Sequence, residues 1–306
     1  QTWWFRTLSF FAVAGLGLGF YNYRFNRIKR QKKELQRQVE ERTSELTRQS
    51  HILEDLYKDV KDSIRAAQVI QDSILPAQDL IKKYLPESFV LNKTKDVVSG
   101  DFYWFDAQQG QIIIASADCT GHGVSGAFMS INGYHLLNKA VYSNPHPSAA
   151  AILDHLNEDI IEDLHSEEHM NGMDIGLCII NPGVMTMQYA GAISPLYIVR
   201  DNEVIQVKGD PFTIGLVLKG KTLKFTNHEV EIRKGDMVYM FSDGYADQIG
   251  GDTQDKFSYS RFRKLLVKIS SEPACIQQRI LDEEINLWKG TEEQLDDILV
   301  LGFRVM

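Results

Sequence analysis

At four places aspartates stand where apolar runs meet flexible or charged turns. QIIIASAD ends on Asp118 before Cys119-Thr120-Gly121-His122-Gly123, and MVYMFSD ends on Asp243 before Gly244. Asp296 and Asp297 open the run ILVLGF, and Asp101 sits in SGDFYWFD. A carboxylate at the end of a buried strand is held on a rigid element, and several such ends can face one another. Converging carboxylates repel unless cations join them. Hard divalent ions that prefer oxygen, Mg2+ or Mn2+, suit such a set. Two such ions, about 4 Å apart, can generate a hydroxide and clamp a phosphoryl group for in-line displacement. Any one of these aspartates alone reads more readily as a turn or N-cap residue. Four together favour a metal centre.

His122 lies four residues past Asp118 between two glycines that allow close backbone approach. It is a candidate general acid, with a structural hydrogen-bonding histidine as the alternative. A competing motif is His165-x-x-Glu168-His169, the inverted zincin pattern of a zinc peptidase. Its segment is polar and runs into Asn171-Gly172, a turn signal, so a rigid ligand face is not expected there. A serine nucleophile is also weakly supported, because G-x-S-x-G is absent.

These residues need strands to hold them. From about residue 87 the chain runs in short apolar segments (QIIIASAD, DIGLCII, VMTMQYAG, SPLYIV, EVIQV, MVYMFSD, ILVLGFRV) separated by Gly and Asn turns. Helical stretches are expected at about 126–141, 147–164, 260–269 and 274–288. Strand runs and helix pairs in blocks indicate an α+β layered domain with a largely antiparallel sheet.

Upstream the character changes. Seven Lys or Arg and no acid fall in the first 33 residues, against a net charge of −8 for the 306-residue chain. The acidic body argues against nucleic acid as a partner. Three scattered cysteines make neither a disulfide framework nor a thiolate zinc cage. Thr7 to Tyr23 carries no charge and is flanked by aromatic residues, which predicts a transmembrane helix over 1–23. The cations that follow place the C-terminal side in the cytoplasm, a single-pass arrangement at the bacterial inner membrane. The chain starts with Gln rather than Met, so an upstream sensor region is expected.

Residues 24–86 form a basic collar and then a linker. Val39, Leu46, Leu53, Val60, Ala67 and Ile74 recur every seven residues, with Leu35, Leu56 and Ile70 at companion positions. This predicts a parallel coiled coil and hence a homodimer. Arg42, Gln49 and Ser63 interrupt the companion row and weaken the seam, which suits signal relay. Pro76 and Pro86 end the helical continuity.

The ordered series AAQVIQDSILPA, VVSGDFYWFD, ASADCTGHGVSGAFMS, YAGAISPLYIV, GDPFTIGL, GDMVYMFSDGYAD and QLDDILVLGF resembles the motifs of stage II sporulation protein E-type serine phosphatases of the metal-dependent PPM class. The resemblance covers about residues 66 to 306. It implies an α-β-β-α sandwich over 87–306, two Mn2+ or Mg2+ ions between the sheets, and a phosphoserine or phosphothreonine protein as substrate. Relatives commonly act on anti-sigma-factor antagonists. By the same resemblance Asp101, Asp118, Asp243 and Asp296 are metal ligands, Asp118 and Asp243 anchoring the pair, and Asp297 shares or supports the role. The carbonyl of Cys119 stands where the family usually has glycine, and Leu299 where a small hydroxyl residue is common. Asp174 and Asp247 match positions near the metal site. The alternative from another class is a catalytically silent phosphoprotein-binding dimer.

Overall fold

The computed structural model describes residues 3–108, 110–143, 147–163, 172–217, 223–251 and 254–306. His165, Glu168 and His169 lie outside the described residues. The chain divides into two units, Gln1–Ser63 and Ile64–Met306.

In chain order the elements are α1 (Trp3–Ile74), α2 (Gln78–Tyr84), β1 (Ser88–Lys93), β2 (Asp101–Gln108), β3 (Gln111–Cys119), α3 (Gly123–Tyr142) and α4 (Ala149–Asp163). They continue with β4 (Met173–Asn181), β5 (Thr186–Ala192), β6 (Leu196–Arg200), β7 (Glu203–Val207), β8 (His228–Glu231), β9 (Met237–Phe241) and α5 (Gly244–Asp247). The last are β10 (Ile249–Gly250), β11 (Asp255–Lys256), α6 (Ser258–Ile269), α7 (Ala274–Lys289) and β12 (Ile298–Arg304).

The described residues of the first unit are helical, and α1 ends at Ile74, two residues before Pro76. The transmembrane expectation for 1–23 is corrected here: among the described residues no helix is long and apolar enough to cross a membrane. The physical reason is dilution. Arg6 sits within the first turns, and Thr7, Ser9, Gly15, Gly17, Gly19 and Asn22 interrupt the leucines and phenylalanines that a bilayer core demands. The heptad residues Val39, Leu46, Leu53 and Val60 lie exposed along this helix.

The second unit is a four-layer sandwich. One antiparallel sheet has the order β2-β3-β4-β5-β8, the other β1-β12-β9-β6-β7. Alternation along each strand sends successive side chains to opposite faces. In β3, Ile112 and Ile114 join Cys178, Tyr189, Ile198, Val238, Leu299 and Leu301 in the layer between the sheets. Ile113, Ala115, Ala117 and Cys119 point the other way, under α3 and α4. On the outer face of the second sheet, Tyr197, Tyr239 and Phe241 pack under Phe262, Leu266 and Leu281 of α6 and α7. The expected α+β layering and antiparallel pairing are thus found, together with β1, β2, β8 and the short β10–β11 hairpin, which the strand runs did not mark.

Candidate active site

Parity along the strands places the acids. Asp118 shares the inner face of β3 with Ile112 and Ile114, at the end where the apolar layer stops. It pairs directly with Asp101 on β2 and with Asp174 on β4, so three carboxylate residues stand abreast across adjacent strands. The second sheet brings two more. Ser242 and Leu299 bond reciprocally (Ser242 N to Leu299 O, 3.0 Å; Leu299 N to Ser242 Oγ, 2.9 Å), and this ties the end of β9 to the start of β12. Asp243 and Asp296 therefore emerge beside each other. Asp118, Asp174, Asp243 and Asp296 line one cleft of about 290 Å³ with Cys119, Thr120, Gly121 and His122.

Close backbone packing shapes this cleft. A Cβ on Gly126 would lie 2.4 Å from the carbonyl oxygen of Gly121 and 3.0 Å from the Cα of Gly100. Only glycine lets the start of α3, the 119–123 loop and the approach to β2 meet there.

The electrostatics are those of unbalanced anions. Burial, and then the carboxylates of Asp243, Asp296 and Asp174, push Asp118 up to about 8. Burial and neighbouring Asp118 hold Asp101 well above the usual carboxylate range, against a hydrogen bond from Ser242. Asp243 is raised by burial and by Asp247 and Asp296, opposed by Lys256. Asp174 is raised by burial, opposed by a hydrogen bond to Thr213. Asp101 Oδ2 is buried with no hydrogen-bond partner among the described residues. A buried orphan oxygen beside other carboxylates is a site short of positive charge, and its oxygen-only donor set fits a hard divalent cation. No group of three His, Cys, Asp or Glu side chains is drawn tightly enough for a metal ion among the described residues.

The other candidates separate by position. Cys119 has its side chain in the core under α3 and α4, and burial keeps its thiol well up, so only its backbone is available to the cleft. Asp297 is buried with both oxygens occupied: Oδ1 accepts from Lys95 N and Oδ2 from Gly100 N, each at 2.7 Å. Asp247 accepts from Lys256 Nζ at 2.8 Å beside the cleft. Leu299 packs fully buried between the sheets, which explains an apolar residue at that position. His122 has its ring Nδ1 2.9 Å from Asp96 Oδ2.

Asp96 and Gln71 were not among the candidates. Gln71, buried near the end of α1, donates from Nε2 to Ser99 O (2.6 Å) and Ser130 Oγ (2.8 Å), and its Oε1 accepts from Ser99 N (3.0 Å). The sequence signal for it was one of two glutamines, Gln68 and Gln71, in a mixed helical stretch, which marks neither unless its partners are known. Asp96 gave only a charged turn residue shortly before SGD.

Comparison with known proteins agrees with this arrangement. The family model described as stage II sporulation protein E (SpoIIE) matches residues 108–306. The chain is 23% identical over 200 residues to the phosphoserine phosphatase RsbU of Bacillus subtilis (strain 168), across 64% of this chain and 56% of that protein. The chain thus spans little more than half the length of that curated relative. The SiaA-PP2C domain of Pseudomonas aeruginosa superposes with a TM-score of 0.75 at 31% identity, covering 81% of this chain and 97% of that one. The PP2C phosphatase domain of SpoIIE from Bacillus subtilis, solved with a fragment of its regulatory domain, shares the fold (TM-score 0.59, 18% identity, 71% and 62% covered). With two facing sheets, a cleft of strand-end aspartates and a family match that runs from the last residue of β2 to the end of β12 and beyond, the chain belongs to the SpoIIE family and carries a PP2C-type phosphatase domain.

Proposed function

We propose that this chain removes phosphate from phosphoserine or phosphothreonine on a protein substrate, with Mn2+ or Mg2+ held by Asp101, Asp118, Asp243 and Asp296 and the carbonyl of Cys119. The observation that carries the reading is the carboxylate row Asp101–Asp118–Asp174, buried at Asp101 and half-buried at the other two, facing Asp243 and Asp296, an arrangement that repels itself without cations. When bound, a pair of such ions would supply an activated water and neutralise the phosphoryl oxygens. The protein's own share is to hold the acids on two rigid sheets and to keep Asp297 as a brace for the loop before Asp101. Asp174 stands within the same cleft and adds a further oxygen donor. His122 lines the cleft and serves as the proton donor to the leaving oxygen.

The linker reading rests on exposure. Val39, Leu46, Leu53 and Val60, with Leu35, Leu56 and Ile70, form a seven-residue apolar stripe left in solvent on a single helix. A second copy covers such a stripe as a parallel coiled coil, which makes the chain a homodimer. By family resemblance the substrate is an anti-sigma-factor antagonist.

The test is phosphate release from a phosphoserine peptide with and without Mn2+, comparing the parent chain with Asp243→Asn and Asp118→Asn. Release that needs Mn2+ and falls to the no-metal level in both variants supports the proposal. Absence of release by the parent dimer would favour the silent phosphoprotein-binding module.

A further inference from the structure

We propose that Asp96 is a positioning residue for His122, orienting the imidazole so that its second nitrogen serves the cleft. The inference rests on the phosphatase reading and adds a residue to it. The Nδ1 of His122 lies 2.9 Å from Asp96 Oδ2, while the ring belongs to a residue that lines the aspartate cleft. With Nδ1 turned to Asp96, Nε2 is the nitrogen left for a bound phosphoryl ester. A carboxylate on one imidazole nitrogen fixes the tautomer and the ring angle.

Three features show that the pair is built rather than incidental. His122 occupies the N-cap position of α3 in extended conformation but makes no side-chain capping bond, so its ring is free for Asp96. The next residue, Gly123, has φ +63°, and a Cβ there would lie 3.1 Å from Asp96 Oδ2, so glycine gives the carboxylate its room. The loop carrying Asp96 is clamped on both sides by one carboxylate, since Asp297 accepts from Lys95 N and from Gly100 N. Thr94 Oγ1 closes the turn by donating to Asp96 O at 2.7 Å. Both partners are about half exposed (side chains 55% and 47%), so the pair adds little to stability and its value lies in orientation.

The step balances as follows. A water oxygen forms a bond to phosphorus as the bond from phosphorus to the seryl oxygen breaks, and the electron pair of that bond goes to the seryl oxygen. That oxygen takes the proton from His122 Nε2. The attacking water loses one proton to solvent, and solvent returns one to the imidazole. Asp96 keeps its contact to Nδ1 throughout.

Leaving-group dependence separates orientation of an acid from simple support of the fold. A serine alkoxide is a poor leaving group and needs the proton, whereas p-nitrophenolate does not. With the full chain and Mn2+, Asp96→Asn is expected to lower kcat on a phosphoserine peptide by about tenfold or more, a part of the 10²–10⁴-fold that a general acid supplies. The loss on p-nitrophenyl phosphate should be far smaller. His122→Gln should give the same selective pattern, and the double variant little beyond it. Equal losses on both substrates, no loss on either, or an undiminished Asp96→Asn effect when His122 is already replaced would overturn the assignment. If the parent releases phosphate from neither substrate, the phosphatase reading fails by itself. The dyad is then judged by the 15N signals of the His122 ring. Protonated Nδ1 that is lost in Asp96→Asn supports it, and an unchanged ring signature rejects it.

Discussion

Asp297 holds Gly100. Its Oδ2 accepts the Gly100 amide at 2.7 Å while Oδ1 accepts the Lys95 amide at the same distance, so one buried carboxylate from just before β12 sets the loop that leads into Asp101, the strand partner of Asp118. Adjacent residues Asp296 and Asp297 thereby divide the work, one lining the cleft and the other fixing the backbone of the opposite sheet's approach.

Asp297→Asn keeps one acceptor and sets an NH2 group against an amide donor. Leaving a buried amide unpaired costs about 1–3 kcal/mol. Urea denaturation should show a loss of that size, and Mn2+-dependent release should fall although Asp296 is untouched. Unchanged stability would mean that the loop is set by other contacts.

Gln71→Ala removes the only side chain that bonds both the amide and the carbonyl of Ser99, among the described residues. The expected destabilisation is about 1–3 kcal/mol, measured by urea titration. Because Ser99 precedes Gly100 and Asp101, cation affinity should weaken as well, read by titrating Mn2+ against thermal stability. Gln71→Glu should not restore either property, since a carboxylate cannot donate to Ser99 O.

The cation-free protein should lose stability as pH rises. Asp118 moves from 3.8 in the unfolded chain to about 8 in the fold. A folded value raised above the unfolded one means that the folded state binds more protons between those limits. The stabilising contribution is full below about pH 4 and disappears as pH passes 8. Melting temperatures in chelator should therefore decline across this window, and Asp118→Asn should flatten the decline. Added Mn2+ should raise the melting temperature most at the alkaline end, where the carboxylates are charged.

Gly244→Ala tests the backbone next to Asp243. A Cβ at Gly244 would lie 2.0 Å from the carbonyl oxygen of Asp297, which cannot move without disturbing β12. Overpacking of this kind costs about 1–3 kcal/mol. Circular dichroism melts should show the loss, and phosphate release should fall with it. Gly235→Ala is a useful contrast, because nothing lies near its Cβ and only its positive φ opposes the change.

Much of the sandwich was legible because its determinants are local. Period-two alternation in QIIIASAD fixes which face each side chain takes, so Asp118 had to share a face with Ile112 and Ile114 once the run became a strand. The same parity carries Asp101 and Asp174, and their places at strand ends put them where the apolar layer gives way to solvent. The helix from the heptad region to Pro76 was equally legible, whereas the uncharged stretch before it misled. Lack of charge is not enough for a membrane span, because glycines and polar residues lower the transfer energy that a span needs.

What only the tertiary structure decided is which atoms meet. The pairing of Asp118 with Asp243 and Asp296 depends on two sheets packing face to face, and no window of sequence contains both. The same holds for Asp297 against Lys95 and Gly100, for Gln71 against Ser99, and for Asp96 against His122. Hydrophobic patterning reports how each segment divides between core and solvent. Polar contacts between distant segments instead follow from loop paths, and those are set only when the layers have closed.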